Sequence, residues 1–311
     1  MIVHEPVLLA ECLELLVPPA GGGGLMVDAT LGQAGHAEAF LDRWPDLALV
    51  GVDADAASLE TARARLARFG DRVELVNAWF AAFFAAWTRD RAPDLVLFDL
   101  GISRFHYEMS GRGFSFDRDE PLDMRLSDDL PASAADLVNG SGAADLADVL
   151  FRFGGERYAR LIAARIVRER ARAPIATAAR LADVVRGAVP PSYRHGRIHP
   201  ATRTFQALRI AVNHELEQLE QGLASAFRVL APGGRIGVIS FHSLEDGTVK
   251  RFFRDRSRDC TCPPEFPVCR CGGRRELSLV TPKAVAPGDA EIARNPAARS
   301  AHLRVAHKEA A

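Results

Sequence analysis

The chain has 311 residues, of which 48% are hydrophobic and 25% are charged, as is usual for globular proteins. This composition excludes a disordered chain, a collagen-like fibre and a coiled-coil rod, and no apolar run reaches the roughly 18 residues that a membrane span needs. Residues 1–6 carry none of the basic residues that begin a signal peptide, so we expect a cytoplasmic protein with no membrane attachment.

The net charge of −1 conceals a basic segment. Residues 1–150 contain 11 Arg and 25 acidic residues, whereas residues 151–210 contain 13 Arg and three acidic residues. Such a segment predicts a local contact with a polyanion. A solvated helix face in an arginine-rich protein is the alternative, since only three of the 39 basic residues are lysine.

The first hundred residues alternate apolar runs with helical patterns. Four apolar runs predict strands: 25–27, 47–52, 73–76 and 95–98. Two segments between them have helical spacing: 35–43 and 56–69. Continuous apolar strands that alternate with helices indicate a parallel sheet buried on both faces, and right-handed crossovers then predict a doubly wound α/β fold.

This alternation stops after residue 99 and resumes near residue 235. The intervening sequence predicts three features: a loop over 101–130, helices over 133–187 and one long helix over 202–230. The pattern then returns with four more elements: a strand over 235–241, a helix over 244–255 and an antiparallel pair at 277–280 and 302–306. We therefore predict a discontinuous sheet domain, residues 1–125 and 203–311, with a helical, basic RNA-recognition domain inserted at 126–202.

Three predicted strands end in an aspartate, at Asp28, Asp53 and Asp99. In doubly wound folds, ligands bind at the carboxyl ends of the strands, where an acid after the second strand can accept both ribose hydroxyls. An acid at the start of the first turn repels a pyrophosphate but suits a cationic amino-acid group. Because the turn also lacks Gly-x-Gly-x-x-Gly, the pattern favours S-adenosylmethionine over NAD, with Asp28 as a cofactor-binding residue.

Five motifs follow one another along the chain: His4-Glu5-Pro6-Val7-Leu8-Leu9, Asp28-x-Thr30-x-Gly32-x-x-Gly35-His36, Gly111-Arg112-Gly113-Phe114-Ser115-Phe116-Asp117 (which runs into Pro121-Leu122-Asp123-Met124-Arg125), His199-Pro200-Ala201-Thr202-Arg203-Thr204-Phe205-Gln206-Ala207-Leu208-Arg209-Ile210 and Ser240-Phe241-His242-Ser243-Leu244-Glu245-Asp246. Any one of them is a weak signal, but five in this order are specific. Together they closely resemble the RsmH (MraW) family, from His4 to about Arg304. Members of that family use S-adenosylmethionine to methylate the exocyclic N4 amine of a cytosine in the decoding region of 16S ribosomal RNA.

The resemblance implies a Rossmann-like class I methyltransferase domain with S-adenosylmethionine as its cofactor. It assigns seven residues to the cofactor pocket: Ala34, Gly35, His36, Asp53, Phe80, Asp99 and His106. Of these, the turn at 34–36 is expected beside the methionine part, Asp53 at the ribose and Phe80 at the adenine. The family usually has Gly in place of Ala34 and often Gln in place of His106.

Methyl transfer to a cytosine amine requires catalysis, because the nitrogen lone pair is delocalised into the ring and the amine is a poor nucleophile. Asp99 is the expected catalytic residue, since a carboxylate at the end of the fourth strand can accept an amine proton as the nitrogen attacks the methyl group. A contact to the cofactor alone is the alternative reading of this aspartate.

A paired cytosine cannot reach such a pocket, so we expect the base to be extruded and stacked on an aromatic ring. Phe114, Phe116 and Phe241 are the candidates, and plain core packing is the alternative for each. His242 is a further candidate for the substrate pocket, although an isolated histidine is more often structural.

Arg194, Arg197 and Arg203 flank the return of the chain to the sheet and are expected to contact phosphates. The expected partner is the assembled small ribosomal subunit with its 16S ribosomal RNA, because a decoding-region site is built by tertiary structure. The sequence leaves the oligomeric state open, a homodimer included.

Four of the five cysteines, Cys260, Cys262, Cys269 and Cys271, fall within twelve residues. Four thiolates can bind Zn²⁺ tetrahedrally, but structural zinc knuckles usually have Cys-x-x-Cys rather than Cys-x-Cys. We expect no resident metal and keep this cluster as a candidate zinc site, with reduced thiols in a proline-rich loop as the alternative.

Three other functions compete with the RNA methyltransferase. One is a methyltransferase of DNA or of a protein amine, but the DNA amino-methyltransferases usually carry an Asp/Asn/Ser-Pro-Pro-Tyr/Phe run where this chain has Asp99-Leu100-Gly101-Ile102. A non-enzymatic RNA-binding assembly factor would be expected to lose the three strand-end acids, which this chain retains. A nicotinamide oxidoreductase would be expected to carry the glycine-rich turn.

Overall fold

The computed structural model describes residues 6–19, 21–196, 198–260, 262, 266, 270 and 273–310. The chain divides into two compact units. The sheet unit comprises Met1–Gly101 and Leu216–Ala311, and the helical unit comprises Ile102–Glu215.

Seven strands form the sheet: β1 (Gly24–Asp28), β2 (Leu47–Asp53), β3 (Val73–Asn77), β4 (Leu95–Asp99), β5 (Arg235–Ser240), β6 (Leu277–Leu279) and β7 (His302–Lys308). Their order is β3-β2-β1-β4-β5-β7-β6; the first five are parallel, and β7 runs antiparallel to both of its neighbours. This is the predicted doubly wound α/β sheet, with the predicted antiparallel pair closing one edge.

Fourteen α-helices are present among the described residues: α1 (Leu9–Leu15), α2 (Gly35–Arg43), α3 (Ala56–Leu66), α4 (Phe80–Ala85), α5 (Arg104–Glu108), α6 (Ala134–Gly140), α7 (Ala143–Gly154), α8 (Ala159–Arg170), α9 (Ala178–Ala188), α10 (Pro191–Arg194), α11 (Thr202–Asn213), α12 (Glu215–Val229), α13 (Ser243–Arg256) and α14 (Asp289–Arg294). Two short 3₁₀ helices lie at Ala67–Arg72 and Pro296–Ser300. None of the helices in the described part of the chain is both long enough and apolar enough to cross a bilayer.

The central strands are apolar throughout because both faces of the sheet are covered. Along β1, Met26 packs in one buried cluster and its neighbour Val27 packs in the other. The same alternation separates Leu97 from Phe98 along β4. A strand buried on both faces has no polar face, which explains why an unbroken apolar run, rather than an alternating one, predicted these strands.

The predicted long helix over 202–230 is wrong, because the chain breaks at His214, where φ is 51°. The break follows from the fully buried Asn213, whose side-chain amide donates to the carbonyls of Met124 (2.7 Å) and Arg209 (2.9 Å). Its Oδ1 accepts the Leu126 N–H at 2.8 Å. The apolar residues before and after His214 keep helical spacing, because a break of one residue hardly disturbs the period. The sequence therefore carries no signal of this break.

The domain boundaries also differ from the predicted 126 and 202, since the helical unit begins at Ile102 and ends at Glu215. The loop after β4 belongs to this unit because Phe114, Leu122 and Met124 are buried in its core. At the other end, α11 belongs to it because Phe205 and Leu208 pack in the same core. Composition identified the insert, but packing determines where it begins and ends.

Candidate cofactor and substrate residues

The sheet brings Asp28, Asp53 and Asp99 to one edge, as the sequence predicted. Strand β1 lies between β2 and β4, and all three run parallel, so their carboxyl ends meet. Three carboxylates at one edge form an electronegative site that suits a cationic ligand.

Asp28 is almost completely buried, with 2% of its surface exposed. Burial raises the pKa of this carboxyl group to about 7, the Thr30 N–H bond at 3.3 Å opposes the rise, and the charge of Asp53 adds to it. A buried acid that titrates near neutrality is typical of functional sites, because its charged form is tolerated only where a ligand compensates it.

Asp99 is held by its backbone, whose N–H donates to Thr30 Oγ1 at 2.6 Å. The side chain is 23% exposed, yet Oδ1 is buried and accepts no hydrogen bond from any described residue. Desolvation raises the pKa of this carboxyl group well above its usual range, and the charges of Asp28 and Glu245 raise it further. A buried acceptor of this kind has capacity for a donor from a ligand.

His36 lies at the start of α2, beside Asp99. Its Nε2 is 2.9 Å from the carbonyl oxygen of Val7, which can only accept, so Nε2 carries a hydrogen. Its Nδ1 then faces Asp99 Oδ2 at 3.6 Å. Gly35 precedes it against Pro6, where an added Cβ would lie 2.6 Å from Pro6 Cγ, so this turn packs tightly against the N-terminal segment.

Ala34 caps α2 in the left-handed region, with φ 62° and ψ 29°. A Cβ in this conformation costs on the order of 1 kcal/mol relative to Gly. We expect Ala34→Gly to raise the free energy of unfolding by about that amount and to leave kcat unchanged, which chemical denaturation and methyl transfer would measure. Ala37→Gly, inside the same helix, is the matched control and should destabilise by about 1 kcal/mol. A loss of stability in Ala34→Gly would contradict the strain at this turn.

Asp53 ends β2 with its carboxylate fixed by two backbone donors. Oδ2 accepts the Gly32 N–H at 2.7 Å, and Oδ1 accepts the Asp55 N–H at 2.9 Å. Each carboxylate oxygen accepts more than one hydrogen bond, so this orientation still suits a pair of vicinal hydroxyls.

Phe80 is the first residue of α4 and is half-buried. Its ring packs edge-on against Phe98, with the centroids 5.3 Å apart. Gly222 on α12 makes room for it, because a Cβ at Gly222 would overlap the Phe80 ring. The ring is therefore held in place from two sides.

Phe241 and His242 follow β5 and are tied to Glu245, a buried residue that the sequence analysis did not single out. Glu245 Oε2 accepts the N–H groups of Phe241 (2.8 Å) and His242 (3.3 Å). The His242 ring in turn accepts the Glu245 N–H at 3.4 Å, which makes it the N-cap of α13. The signal was available, since a Glu three residues after a helix N-cap is the mark of a capping box.

In the helical unit, His106 and Phe114 are buried, with 6% and 4% of their surfaces exposed. His106 Nδ1 accepts the Ser103 N–H at 3.3 Å in a capping box of α5, and its ring lies edge-on to Phe114 with the centroids 5.6 Å apart. Phe114 belongs to the core of this unit, so core packing, the alternative reading of this ring, is the observed one.

Phe116 is half-buried and stacks on His199, with the centroids 4.3 Å apart and the rings 23° from parallel. Desolvation lowers the pKa of His199, and the charge of Arg186 lowers it further, which favours the neutral ring. The pair presents an aromatic platform whose exposed member is His199.

The predicted phosphate-contacting arginines are also in this unit. Arg194 is exposed and donates from Nε to the Val189 carbonyl at 3.0 Å. Arg203 donates from Nη1 to the Gly155 carbonyl at 3.2 Å. Arg197 lies outside the described residues.

Only half of the candidate zinc site can be described. Cys260 is exposed, Cys262 is half-buried, and the Cys262 N–H lies 3.4 Å from Cys260 Sγ. Cys269 and Cys271 lie outside the described residues, so the four-thiolate arrangement stays a prediction.

The MraW methylase family model matches residues 1–309. The chain is 55% identical to the Ribosomal RNA small subunit methyltransferase H of Treponema denticola over 307 residues, which cover 98% of this chain and 97% of that protein. It is 50% identical to the protein of the same name from Geobacter sulfurreducens over 308 residues, 98% of each chain. Among solved structures, an rRNA methylase from Streptococcus thermophilus is 10% identical, with a TM-score of 0.41, and the match covers 97% of this chain and 92% of that one.

The family match spans nearly the whole chain, including the acids at the ends of β1, β2 and β4. The fold has the sheet order described above, with a helical unit between β4 and β5. The chain belongs to the MraW methylase family.

Proposed function

We propose that this protein uses S-adenosylmethionine to methylate the N4 amine of a cytosine in the decoding region of 16S ribosomal RNA. The observation that carries the proposal is the 55% identity, over 98% of the chain, to a relative named as a ribosomal RNA small subunit methyltransferase. The N4 position and the decoding region rest on the motifs that resemble the RsmH (MraW) family.

The carboxyl edge of the sheet fits the cofactor. S-adenosylmethionine carries a sulfonium whose methyl group is transferred, an ammonium group and a ribose. Asp28 is buried and Asp99 is half-buried, and desolvation raises the pKa of both carboxyl groups, so a cation bound beside them would favour their charged forms. We assign the ribose to Asp53 and the adenine to Phe80, while the turn 34–36 and His106 contribute the remaining contacts.

Asp99 is the proposed proton acceptor. The positive charge of bound S-adenosylmethionine would favour the carboxylate form of Asp99 before transfer. The buried Oδ1 of Asp99 would then accept one N–H of the amine, which would orient the lone pair of the nitrogen for attack. S-adenosylmethionine would supply the methyl group, and the amine nitrogen that accepts it would gain positive charge. Asp99 then takes the amine proton, because desolvation makes its carboxylate a strong base.

The helical unit is the proposed RNA-recognition part. Its Phe116–His199 stack and Phe241 of the sheet unit are half-buried or exposed rings that suit an extruded base, whereas Phe114 does not present its ring. Arg194, Arg197 and Arg203 are the proposed phosphate contacts on this unit. The assembled small subunit is the substrate, and its location implies that the enzyme works in the cytoplasm.

The proposal is tested by methyl transfer from labelled S-adenosylmethionine to small subunits that lack the modification. Digestion of the RNA and mass spectrometry should detect N4-methylcytidine in wild-type reactions. Subunits that already carry the modification are the control and should accept no label. If the protein binds S-adenosylmethionine but labels no cytosine, the RNA assignment is wrong and another amine is the acceptor.

A further inference from the structure

Within the helical unit, the turn between α7 and α8 presents the exposed side chain of Arg157. The guanidinium carbon lies 4.8 Å from the ring centroid of Tyr158 and 4.7 Å from that of Tyr193. The two rings are 5.0 Å apart and inclined at 72°, so the guanidinium lies in the corner that they form. We name this group the Arg157 corner: Arg157, Tyr158 and Tyr193.

A buried carboxylate holds the two rings in position. Glu156 is fully buried, its Oε1 accepts the Tyr158 N–H at 2.8 Å, and its Oε2 accepts the Tyr193 hydroxyl at 2.8 Å. This carboxylate is engaged by the tyrosines, and no acid of the described residues forms an ion pair with Arg157. Arg157 therefore has no ion-pair partner within 4.0 Å among the described residues, and with Arg203 nearby the two guanidinium groups outnumber the single carboxylate of Glu156.

A second guanidinium lies beside the same rings. Arg203 donates to the Gly155 carbonyl at 3.2 Å, and its charge and that of Arg157 both act on the Tyr193 hydroxyl. The approach depends on Gly154, because a Cβ there would overlap the Arg203 carbonyl oxygen. Arg160, in the first turn of α8 and three residues after Arg157, is also exposed.

The chemistry of the corner selects its ligand. The contacts with the two rings use none of the Arg157 N–H groups as hydrogen-bond donors, and this guanidinium donates no hydrogen bond to any described residue, so its donors are available to a ligand. A planar fork of donors matches two oxygens of one phosphate, and the stacking reduces the side-chain freedom that binding would otherwise cost. A lysine ammonium group has no planar set of donors, so rings that fix its orientation would add little to phosphate binding.

We propose that the Arg157 corner binds a backbone phosphate of the small-subunit ribosomal RNA, with Arg203 and Arg160 adding positive charge around it. This inference rests on the proposed function and extends it, since it assigns a phosphate site to residues outside the predicted cofactor and cytosine pockets. The contact reads no base, so it positions the RNA and adds a salt-dependent share of the affinity.

The test compares Arg157→Gln with Arg186→Gln in binding to unmodified small subunits without cofactor, over a range of KCl concentrations. Arg186 is a matched control because it is exposed and on the same unit, but its guanidinium is already paired with Asp183 at 3.0 Å. Loss of one charged contact should weaken Arg157→Gln binding on the order of tenfold. It should also reduce the slope of log K against log salt by about 0.7 to 0.9. Arg186→Gln should change neither quantity.

Arg157→Lys separates charge from geometry. It should recover the salt slope but not the full affinity, because an ammonium group lacks the planar fork. Equal affinities and slopes for Arg157→Gln and Arg186→Gln would overturn the inference, as would a weakened affinity with an unchanged slope, which indicates a contact other than phosphate.

The outcomes also separate this inference from the proposed function. If the wild-type protein forms no N4-methylcytidine, the proposed function fails, whatever the binding results are. If the wild type is active and Arg157→Gln binds subunits as Arg186→Gln does, only the Arg157 corner is wrong. Calorimetric binding of S-adenosylmethionine should be the same in all three variants, which confirms that each is folded.

Discussion

Replacing Asp99 with Asn is expected to lower kcat about 10²- to 10⁴-fold, the usual contribution of a positioned proton acceptor. The amide has nearly the same shape but cannot take the amine proton. The same substitution should raise thermal stability at neutral pH, because desolvation and the charges of Asp28 and Glu245 disfavour the carboxylate in the folded state. A variant that is more stable and far less active would show that this partly desolvated carboxylate serves catalysis.

Methyl-transfer kinetics measure kcat, calorimetry measures the affinity for the cofactor, and thermal melting measures stability. Asp55→Asn is the control, since Asp55 is another aspartate of the sheet unit, buried, whose side chain caps α3 through the N–H groups of Ala57 and Ser58. It should cost some stability and leave kcat unchanged. If Asp99→Asn weakens cofactor binding but retains the wild-type kcat, Asp99 is a cofactor contact and the proton goes elsewhere.

The affinity for the cationic cofactor is expected to rise between pH 6 and pH 8, as Asp28 loses its proton near pH 7. Stability should move in the opposite direction. Because the folded-state pKa of about 7 lies above the ordinary value of 3.8, Asp28 stabilises the fold most below about pH 4. That stability is lost as the pH rises through 7, by a total on the order of 4 kcal/mol.

Asp28→Asn tests both signs, since it removes the titrating group and can keep the acceptor for the Thr30 N–H. This variant should be more stable than the wild type at pH 8 and should bind the cofactor more weakly there. Calorimetry at pH 6, 7 and 8 should give a smaller pH dependence of affinity than the wild type shows. An unchanged pH dependence would mean that a different group, such as Asp99, controls binding.

The sequence by itself determined the parallel strands and the position of their acids. Strands such as β1 and β4 are short unbroken apolar runs, and the residue after each run is the one that reaches the carboxyl edge. Local pattern was sufficient because strand burial leaves a direct mark on composition, and because parallel strands bring their ends together without further information. The helical insert was visible for the same reason, as a change of period after Asp99.

Only the tertiary structure decided the features that depend on contacts distant in sequence. The break at His214 follows from the Asn213 amide reaching the loop at Met124, 89 residues away. Phe114 and Phe116 are two residues apart in one motif, yet one is in the core and the other stacks on His199. No local pattern distinguishes them, since each fate depends on what packs against the ring.

The protonation of Asp28 and the orientation of the Asp53 carboxylate also depend on packing that the local sequence does not reveal. In sequence Asp28 and Asp53 are both strand-end aspartates, and only the packed structure shows that burial raises the pKa of Asp28 to about 7 and that two backbone N–H groups orient the carboxylate of Asp53. The Arg157 corner likewise needs Glu156 and Tyr193, 37 residues apart, to meet. A sequence specifies which groups a protein has, but desolvation and hydrogen bonding arise only when distant segments pack together, and they decide which of those groups can do chemistry.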